Sequence, residues 1–275
     1  MALSEAELQA FSRFEMNGWD RAADPYHHHW GNLSRQSAEP MLDAARVKKG
    51  STVLDIATGA GYIAAAALSR GASVIGLDFS EAQVELARST YPLVVFRQGD
   101  AEALSFDEGT FDAVVIGFGI NHLPHPERAF AEGYRVLRPG GYFAFTVWAT
   151  PNPGEAFGIV LGAIQQHGEP NAKLPPAPPY FRFADSEEVR RVFEQTGFVE
   201  PGTHLVPQFW QHDTPDQVFD AFNEGAVRAT AMLRSQSAQI RDKIRTVVRT
   251  HVERLRQNDK YVVPVPAALS WARKP

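Results

Sequence analysis

The stretch VLDIATGAGY at residues 53–62 decides how the rest of the chain is read. A short apolar run ends at Asp55-Ile56-Ala57, turns through Thr58 and Gly59-Ala60-Gly61, and continues into an alanine-rich segment. This order makes a strand, a glycine loop and a helix, and the loop lets backbone approach a ligand because no Cβ stands in the way. Gly59-x-Gly61-x-x-Ala64 also satisfies the dinucleotide fingerprint, so the glycines alone leave the ligand open.

Outward from this unit, strand-like runs at 52–57, 72–77, 93–97, 111–117 and 142–148 are separated mostly by helical patterns at 61–70, 80–89 and 127–137. Such alternation builds βαβ units and a parallel sheet covered on both faces. Ser80-x-x-Gln83 reads as a capping box, as does Ser4 with Glu7 ahead of a helix over 4–16 that carries Leu8, Phe11 and Phe14. The Pro- and Gly-rich 149–180 holds one short helix near 155–167, and Asp185 with Glu188 opens a further helix that Gly197 ends. A strand near 203–210, a helical region over 214–258 begun at Thr214-Pro215, and one final strand over 261–272 complete the chain. Pro264 and Pro266 suit an edge or an irregular start to that strand.

Asp55, Asp78 and Asp100 fall at the carboxyl ends of the first three strands, where open α/β sheets bind ligands. Asp55 lies ahead of the glycines, where it would repel a pyrophosphate but attract an ammonium or a sulfonium. Asp78 is placed for ribose hydroxyls, and Asp100, in QGDAEAL, for an exocyclic adenine amine. A lone Asp at a strand end is more often a cap or turn residue. Three in register with a glycine loop point to a binding cleft.

VLDIATGAGY, VIGLDFS, QGDAEALSF, FDAVVIGFGINHL and RVLRPGGYFAFT (135–146) resemble the successive motifs of class I S-adenosylmethionine-dependent methyltransferases. The likeness is greatest to the group that includes the ubiquinone and menaquinone biosynthesis methyltransferases. It is strong over 35–148, and FRFADSEEVRRVFEQTGF (181–198) extends it. The resemblance implies an α/β fold with a Rossmann-like seven-stranded sheet, mostly parallel with an antiparallel last strand. It divides the chain into an N-terminal helical cap (1–40), a cofactor-binding core (41–212), a helical lid insertion (213–258) and a final strand (259–275). It also implies that Gly59 and Gly61 face the methionine end of S-adenosylmethionine and Asp78 its ribose. Phe79 would lie against adenine, Asp100 and Ala101 at its edge, Phe118 beside the methyl, and Tyr26 over the cofactor as a cap. Asp55, Ala57 and Gln83 complete this set, with Ala57 standing where the family often has glycine.

His122 follows the fourth strand in GFGINHLPHP, beside the expected methyl, and titrates in a range useful to a general base. The bland alternative is a turn residue bonded to backbone. His125, in a Pro-flanked turn, reads as exposed. His27, His28 and His29 cannot all point one way on a helix or strand, and no carboxylate pattern completes a metal signature, so no metal is expected. Arg241, Lys243, Arg245, Arg249, Arg254 and Arg256 read as a solvated face, or else as the mouth for an anionic substrate.

Composition narrows the function. With 275 residues the chain can form one large domain with an insertion. A net charge of −5 argues against nucleic acid as partner. No apolar run reaches the roughly 18 residues of a membrane span. The first residues lack the basic head and apolar stretch of a secretory signal, which fits a cytoplasmic address. The absence of cysteine excludes disulfides, thiolate metal sites and a cysteine nucleophile. The expected function is methyl transfer to a small organic acceptor, with the O, N or C atom and the oligomeric state both open. The alternatives are an NAD-dependent oxidoreductase, disfavoured by Asp55, Asp100 and RPGG, and a non-catalytic cofactor-binding protein.

Overall fold

Residues 3–169 and 174–275 are described by a computed structural model; of the 149–180 stretch, 170–173 lie outside the described residues. The chain opens with α1 (Glu5–Ser34) and α2 (Ala38–Ala44). The alternating region then runs β1 (Thr52–Ile56), α3 (Tyr62–Ser69), β2 (Ser73–Asp78), α4 (Glu81–Thr90), β3 (Val95–Gln98), β4 (Phe111–Gly117), α5 (Pro126–Val136) and β5 (Leu137–Trp148). It continues through α6 (Ala156–His167), α7 (Ser186–Thr196), β6 (Val199–Val206), β7 (Phe209–His212), α8 (Asp216–Glu224), α9 (Val227–Arg234) and α10 (Ala238–Glu253). β8 (Arg256–Gln257), β9 (Lys260–Pro264) and β10 (Ala267–Arg273) close it.

Seven strands form one sheet in the order β3-β2-β1-β4-β5-β10-β6. The β1 to β5 neighbours pair in parallel, and β10 lies antiparallel between β5 and β6, as expected. Both faces are buried. Along β4, Ala113 and Val115 join the core beneath α1, α2, α3 and α6, while Val114 and Ile116 join the core beneath α5 and α7. The strand order reverses between β1 and β4, and the loops leaving these two strands open a crevice at their carboxyl ends.

Four local expectations are corrected. The first helix does not stop near residue 16 but runs to Ser34, straight through Pro25. An internal proline removes a hydrogen bond and strains the preceding turn, but Ala22, Ala23, Trp30 and Leu33 are buried along the continuation and offset that cost. The strand expected near 203–210 is two strands, of which β7 pairs with β9 in a separate three-stranded sheet. The single final strand is likewise two, because Pro264 ends β9 and Pro266 precedes β10. Each proline lacks a ladder donor, so the chain leaves the small sheet at one and joins the large sheet after the other. The helical region 214–258 is made of three helices, but it stops short of 258 because β8 takes up its end.

The capping boxes also differ in part. Ser4 and Glu7 form both bonds. Ser80 Oγ accepts from Gln83 N, but the Ser80 N–H donates to Asp78 Oδ1 instead of to the Gln83 side chain. Asp185 caps α7 by accepting from Glu187 N, whereas Glu188 turns away to Arg182 and Arg191, which hold its carboxyl down at about 2.

Candidate active site

The glycine loop leaves β1 with Ala57 in the left-handed region at φ 51°, and Gly59 follows at φ 53°. Phe118, at the end of β4, also has a positive φ of 58°. Left-handed backbone costs a residue with a Cβ about 1–2 kcal/mol, and such strain gathers at functional sites. Gly61 has φ 85° and caps α3, and a Cβ there would lie 2.6 Å from Phe96 Cζ. That glycine is required by the turn and by packing, and it does not line the cleft.

Asp55 has zero exposure, and its Oδ2 accepts from Thr58 Oγ1 at 2.7 Å and Ala64 N at 3.0 Å. It therefore sits beneath the loop and braces it, with Oδ1 left without a partner among the described residues. Burial pushes its carboxyl up to about 7. Asp78 is 4% exposed and stands on the cleft wall, accepting from Gly59 N at 2.8 Å and Ser80 N at 3.0 Å. Burial raises it to about 6 against those backbone donors.

Ala57, Thr58, Gly59, Asp78, Phe79 and Gln83 share the cleft with Gly117, Phe118 and Gly119. Because Asp78 takes the Ser80 N–H, the Gln83 amide is released from capping. Gln83 is 3% exposed, its Oε1 accepts no hydrogen bond from the described residues, and it faces the same cleft. Asp78 and Gln83 thus give the cleft two acceptors suited to a ligand's hydroxyl groups. Phe79, Asp100 and Ala101 line the outward continuation of the cleft, where Asp100 is exposed and its Oδ1 accepts from Glu102 N. The acceptors present fit the hydroxyl and amino groups of a nucleoside, whereas Asp55, expected to attract a cationic group directly, is buried beneath the loop and does not line the cleft.

Next to this cleft is a chamber with a mostly aromatic lining. Its walls are Trp19, Tyr26 and Trp30 from α1, Phe118 and Trp148 from strand ends, Phe157 from α6, Tyr180, and residues 226–229 and 232 around α9. Phe118 stacks on Trp148 with centroids 3.9 Å apart. Trp19, Tyr26, Phe118 and His122 line both the cleft and the chamber. Tyr26 stacks on Trp30, and its hydroxyl lies 2.9 Å from Ser34 Oγ; burial raises that hydroxyl to about 12.

His122 sits at the junction in a 3₁₀ turn, Ile120–His122. Its Nδ1 is 2.8 Å from Glu15 Oε2 on α1. The neighbouring histidines of α1 part ways, as their spacing requires. His27 Nδ1 bonds the Tyr62 hydroxyl at 2.7 Å, His29 pairs with Glu224 at 3.1 Å, and His28 is exposed. Among the described residues no group of His, Asp and Glu could hold a metal. His125 is only half-buried rather than exposed, with Nε2 3.7 Å from Glu5.

Of the 214–258 region, α9 and the turn before it reach the chamber. The cations of α10 point elsewhere: Arg245 pairs with Asp216 and Asp220, and Arg249 with Asp216 and Glu253. Arg228 in the chamber and Glu15 in the outer part of the cleft are charged groups that sequence reasoning missed. An acid or arginine on an amphipathic helix reads as a solvated face until its tertiary partner is known.

Residues 54–145 match a family model described as a methyltransferase domain. A demethylmenaquinone methyltransferase of Thermus thermophilus is 40% identical over 125 residues, 43% of this chain and 56% of that protein. One from Renibacterium salmoninarum is 36% identical over 114 residues, 42% of this chain and 48% of that protein. The chain spans about half the length of these curated relatives. Among solved structures, the YcgJ protein of Bacillus subtilis shares the fold with a TM-score of 0.57 at 22% identity, covering 86% of this chain and 97% of that one. The NAD-dependent alternative finds no support in these likenesses. Residues 54–145 are thus similar to a methyltransferase domain, and the chain shares its fold with the YcgJ protein.

Proposed function

We propose that the protein transfers a methyl group from S-adenosylmethionine to a small, planar, largely apolar acceptor. One observation carries the reading: a nucleoside-type cleft at the switch point opens into an aromatic chamber, and Trp19, Tyr26, Phe118 and His122 belong to both. The cofactor supplies an electrophilic methyl on sulfonium. Asp78 and Gln83 would hold its ribose, Phe79, Asp100 and Ala101 its adenine, and the loop at Ala57 and Gly59, braced by Asp55, its methionine end. Phe118 and Tyr26 would flank the sulfonium. The chamber orients the acceptor and excludes water, which can supply much of the rate of an in-line displacement. His122 takes a proton where the acceptor must lose one.

The acceptor named for the curated relatives, demethylmenaquinone, is a ring compound, which agrees with the lining. The matched residues 54–145, however, include Phe118 and His122 but none of the α1, α6 or α9 walls. Acceptor choice therefore rests on segments outside the likeness. Calorimetry with S-adenosylmethionine and with NAD tests the cofactor. Labelled methyl transfer to a panel of aromatic metabolites tests the reaction, and binding of NAD alone, or cofactor binding without transfer to any acceptor, would overturn the proposal.

A further inference from the structure

Where the outward continuation of the cleft reaches His122, Glu15 is a buried carboxyl directed at that imidazole. It is 1% exposed, its Oε2 bonds His122 Nδ1, and its Oε1 has no partner among the described residues. A carboxylate taken out of water costs several kcal/mol unless its partners return it, and His122 is the hydrogen-bond partner that Glu15 has. A carboxylate can only accept, so a charged Glu15 calls for the proton on Nδ1. The lone pair of the neutral ring is then on Nε2. Trp19 and Tyr180 meet the imidazole edge-on, with centroids at 4.9 and 5.7 Å, and fix its plane.

We propose that Glu15 is the positioning residue of a carboxylate–imidazole pair. It sets the tautomer that leaves His122 Nε2 as the base, and it stabilises the imidazolium formed when that base takes a proton from the acceptor. This rests on the methyl-transfer reading. The proton of an acceptor O–H passes to Nε2, and the electron pair left on the acceptor forms the bond to the methyl carbon. The S–CH₃ bond breaks with its pair going to sulfur, and Glu15 keeps its charge throughout. Such a pair serves an acceptor whose nucleophile appears only when a proton leaves, as in a ring hydroxyl. An amine with a free lone pair has no use for it.

The pair bridges two parts of the chain, since Glu15 is on α1 and His122 follows β4. Ser80 Oγ donates to Asp20 Oδ1 at 2.6 Å one turn further along α1, so the base is complete only while that helix is docked. The titratable and charged groups lining the pockets around His122 are Glu15 and Tyr26 of α1, Tyr62 of α3, Asp78 at the end of β2, Asp100 and Glu102 of the outer cleft, Tyr180, and Arg228 of α9. Of these, Glu15 hydrogen-bonds the ring.

Nitrogen NMR of ¹⁵N-histidine-labelled protein reads the tautomer without any acceptor. The expected result is a neutral His122 protonated on Nδ1, and a changed tautomer population in Glu15→Gln. With a hydroxylated acceptor, Glu15→Gln should lower the single-turnover rate by about 10- to 10³-fold. The acid limb of its pH–rate profile should move to lower pH. The double variant Glu15→Gln/His122→Asn should be no slower than His122→Asn alone, since the two residues act as one unit. Protonation of His122 on Nε2 in the unaltered protein overturns the proposal, whether or not the variant folds. So does a Glu15→Gln rate within about twofold of wild type with an unmoved limb. A wild-type protein that transfers no methyl group fails the underlying reading instead, and is told apart by having the Nδ1 tautomer with no reaction to serve.

Discussion

Ala57 and Gly119 face one another across the ends of β1 and β4, so closely that a Cβ on Gly119 would lie 2.4 Å from the Ala57 Cβ. The glycine at 119 is what leaves room for the methyl of Ala57 here. Gly119→Ala should destabilise by about 1–3 kcal/mol through overpacking. Ala57→Gly relieves the left-handed backbone at the cost of a looser unfolded chain, a net gain below about 1 kcal/mol. In the double variant part of the Gly119→Ala loss should return, though Ile116 Cγ2 at 3.1 Å still crowds the new methyl. Denaturant unfolding of the four proteins measures the coupling, and strict additivity would mean that the two sites relax independently.

Asp78→Ala should weaken S-adenosylmethionine binding by about ten- to a hundredfold, the loss of hydrogen bonds to a charged acceptor. The same carboxylate holds Gly59 N and Ser80 N, so a drop in melting temperature is also expected. Calorimetry separates the two effects, because affinity is compared only where the variant is fully folded. Unchanged affinity would remove Asp78 from the ribose site.

Burial raises Asp55 to about 7 and Asp78 to about 6. A carboxyl whose native value exceeds its unfolded value binds more protons in the folded state. Its contribution is therefore fullest below the unfolded value of 3.8 and declines as pH rises through the native one. The unliganded protein should lose stability from these groups between about pH 4 and about pH 7, at most about 1.4 kcal/mol per pH unit for each. Asp55→Asn keeps an acceptor for Thr58 and Ala64 but does not titrate. Its stability relative to wild type should rise from about pH 5 to about pH 7.5, read by urea unfolding at each pH. A difference that stays constant with pH would show that Asp55 is not the titrating group.

The large sheet was legible because its units are local. Each apolar run, glycine loop and helix in 52–148 lies within a few dozen residues, and the periodicity switches cleanly between them. Legibility failed where tertiary contact overrides a local signal. Pro25 reads as a stop, yet the helix passes it because Trp30 and Leu33 find a core. The 261–272 run reads as one strand, yet its halves belong to two sheets. In the cleft, Asp78, Phe79 and Gln83 were readable from one strand–turn–helix segment. Gln83 was legible as a cap, but not its release when Asp78 takes the Ser80 N–H. Glu15 meets His122 across 107 positions of chain, and no spacing rule reaches that far.

The α9 segment and the turn before it should gain hydrogen-exchange protection when S-adenosylhomocysteine and an acceptor analogue bind together. Ala226, Val227, Ala229 and Met232 close the chamber, while α10 is fastened to α8 by Arg245 and Arg249. The expectation of a lid over 213–258 thus narrows to α9, with α10 as its fixed support. Equal protection of α9 in both states would make it a wall instead, and protection gained equally along α10 would restore the broader lid.

Arg228 is the cation in the chamber lining, and it bears on which acceptors are accepted. Its guanidinium reaches Pro175 O at 3.3 Å, and no carboxylate lies within 4 Å among the described residues. Burial lowers its pKa, while Glu15 and Tyr180 work in the opposite direction. An acceptor with a carboxylate, or a hydroxyl that becomes an oxyanion during transfer, would supply the missing charge. A charge-assisted hydrogen bond in such a setting contributes about 1.5–3 kcal/mol, so Arg228→Gln should raise KM for an acidic acceptor by about ten- to a hundredfold. Affinity for S-adenosylmethionine should be untouched, because Arg228 is outside the cleft. If the oxyanion forms only during transfer, kcat should fall instead and KM stay, which marks an interaction made in the transition state. Arg228→Lys keeps the charge that faces Glu15, so a loss seen in Gln but not in Lys is electrostatic rather than a matter of shape. Equal kinetics for a charged acceptor and its neutral ester, in wild type and Arg228→Gln alike, would leave the aromatic walls as the sole basis of acceptor choice.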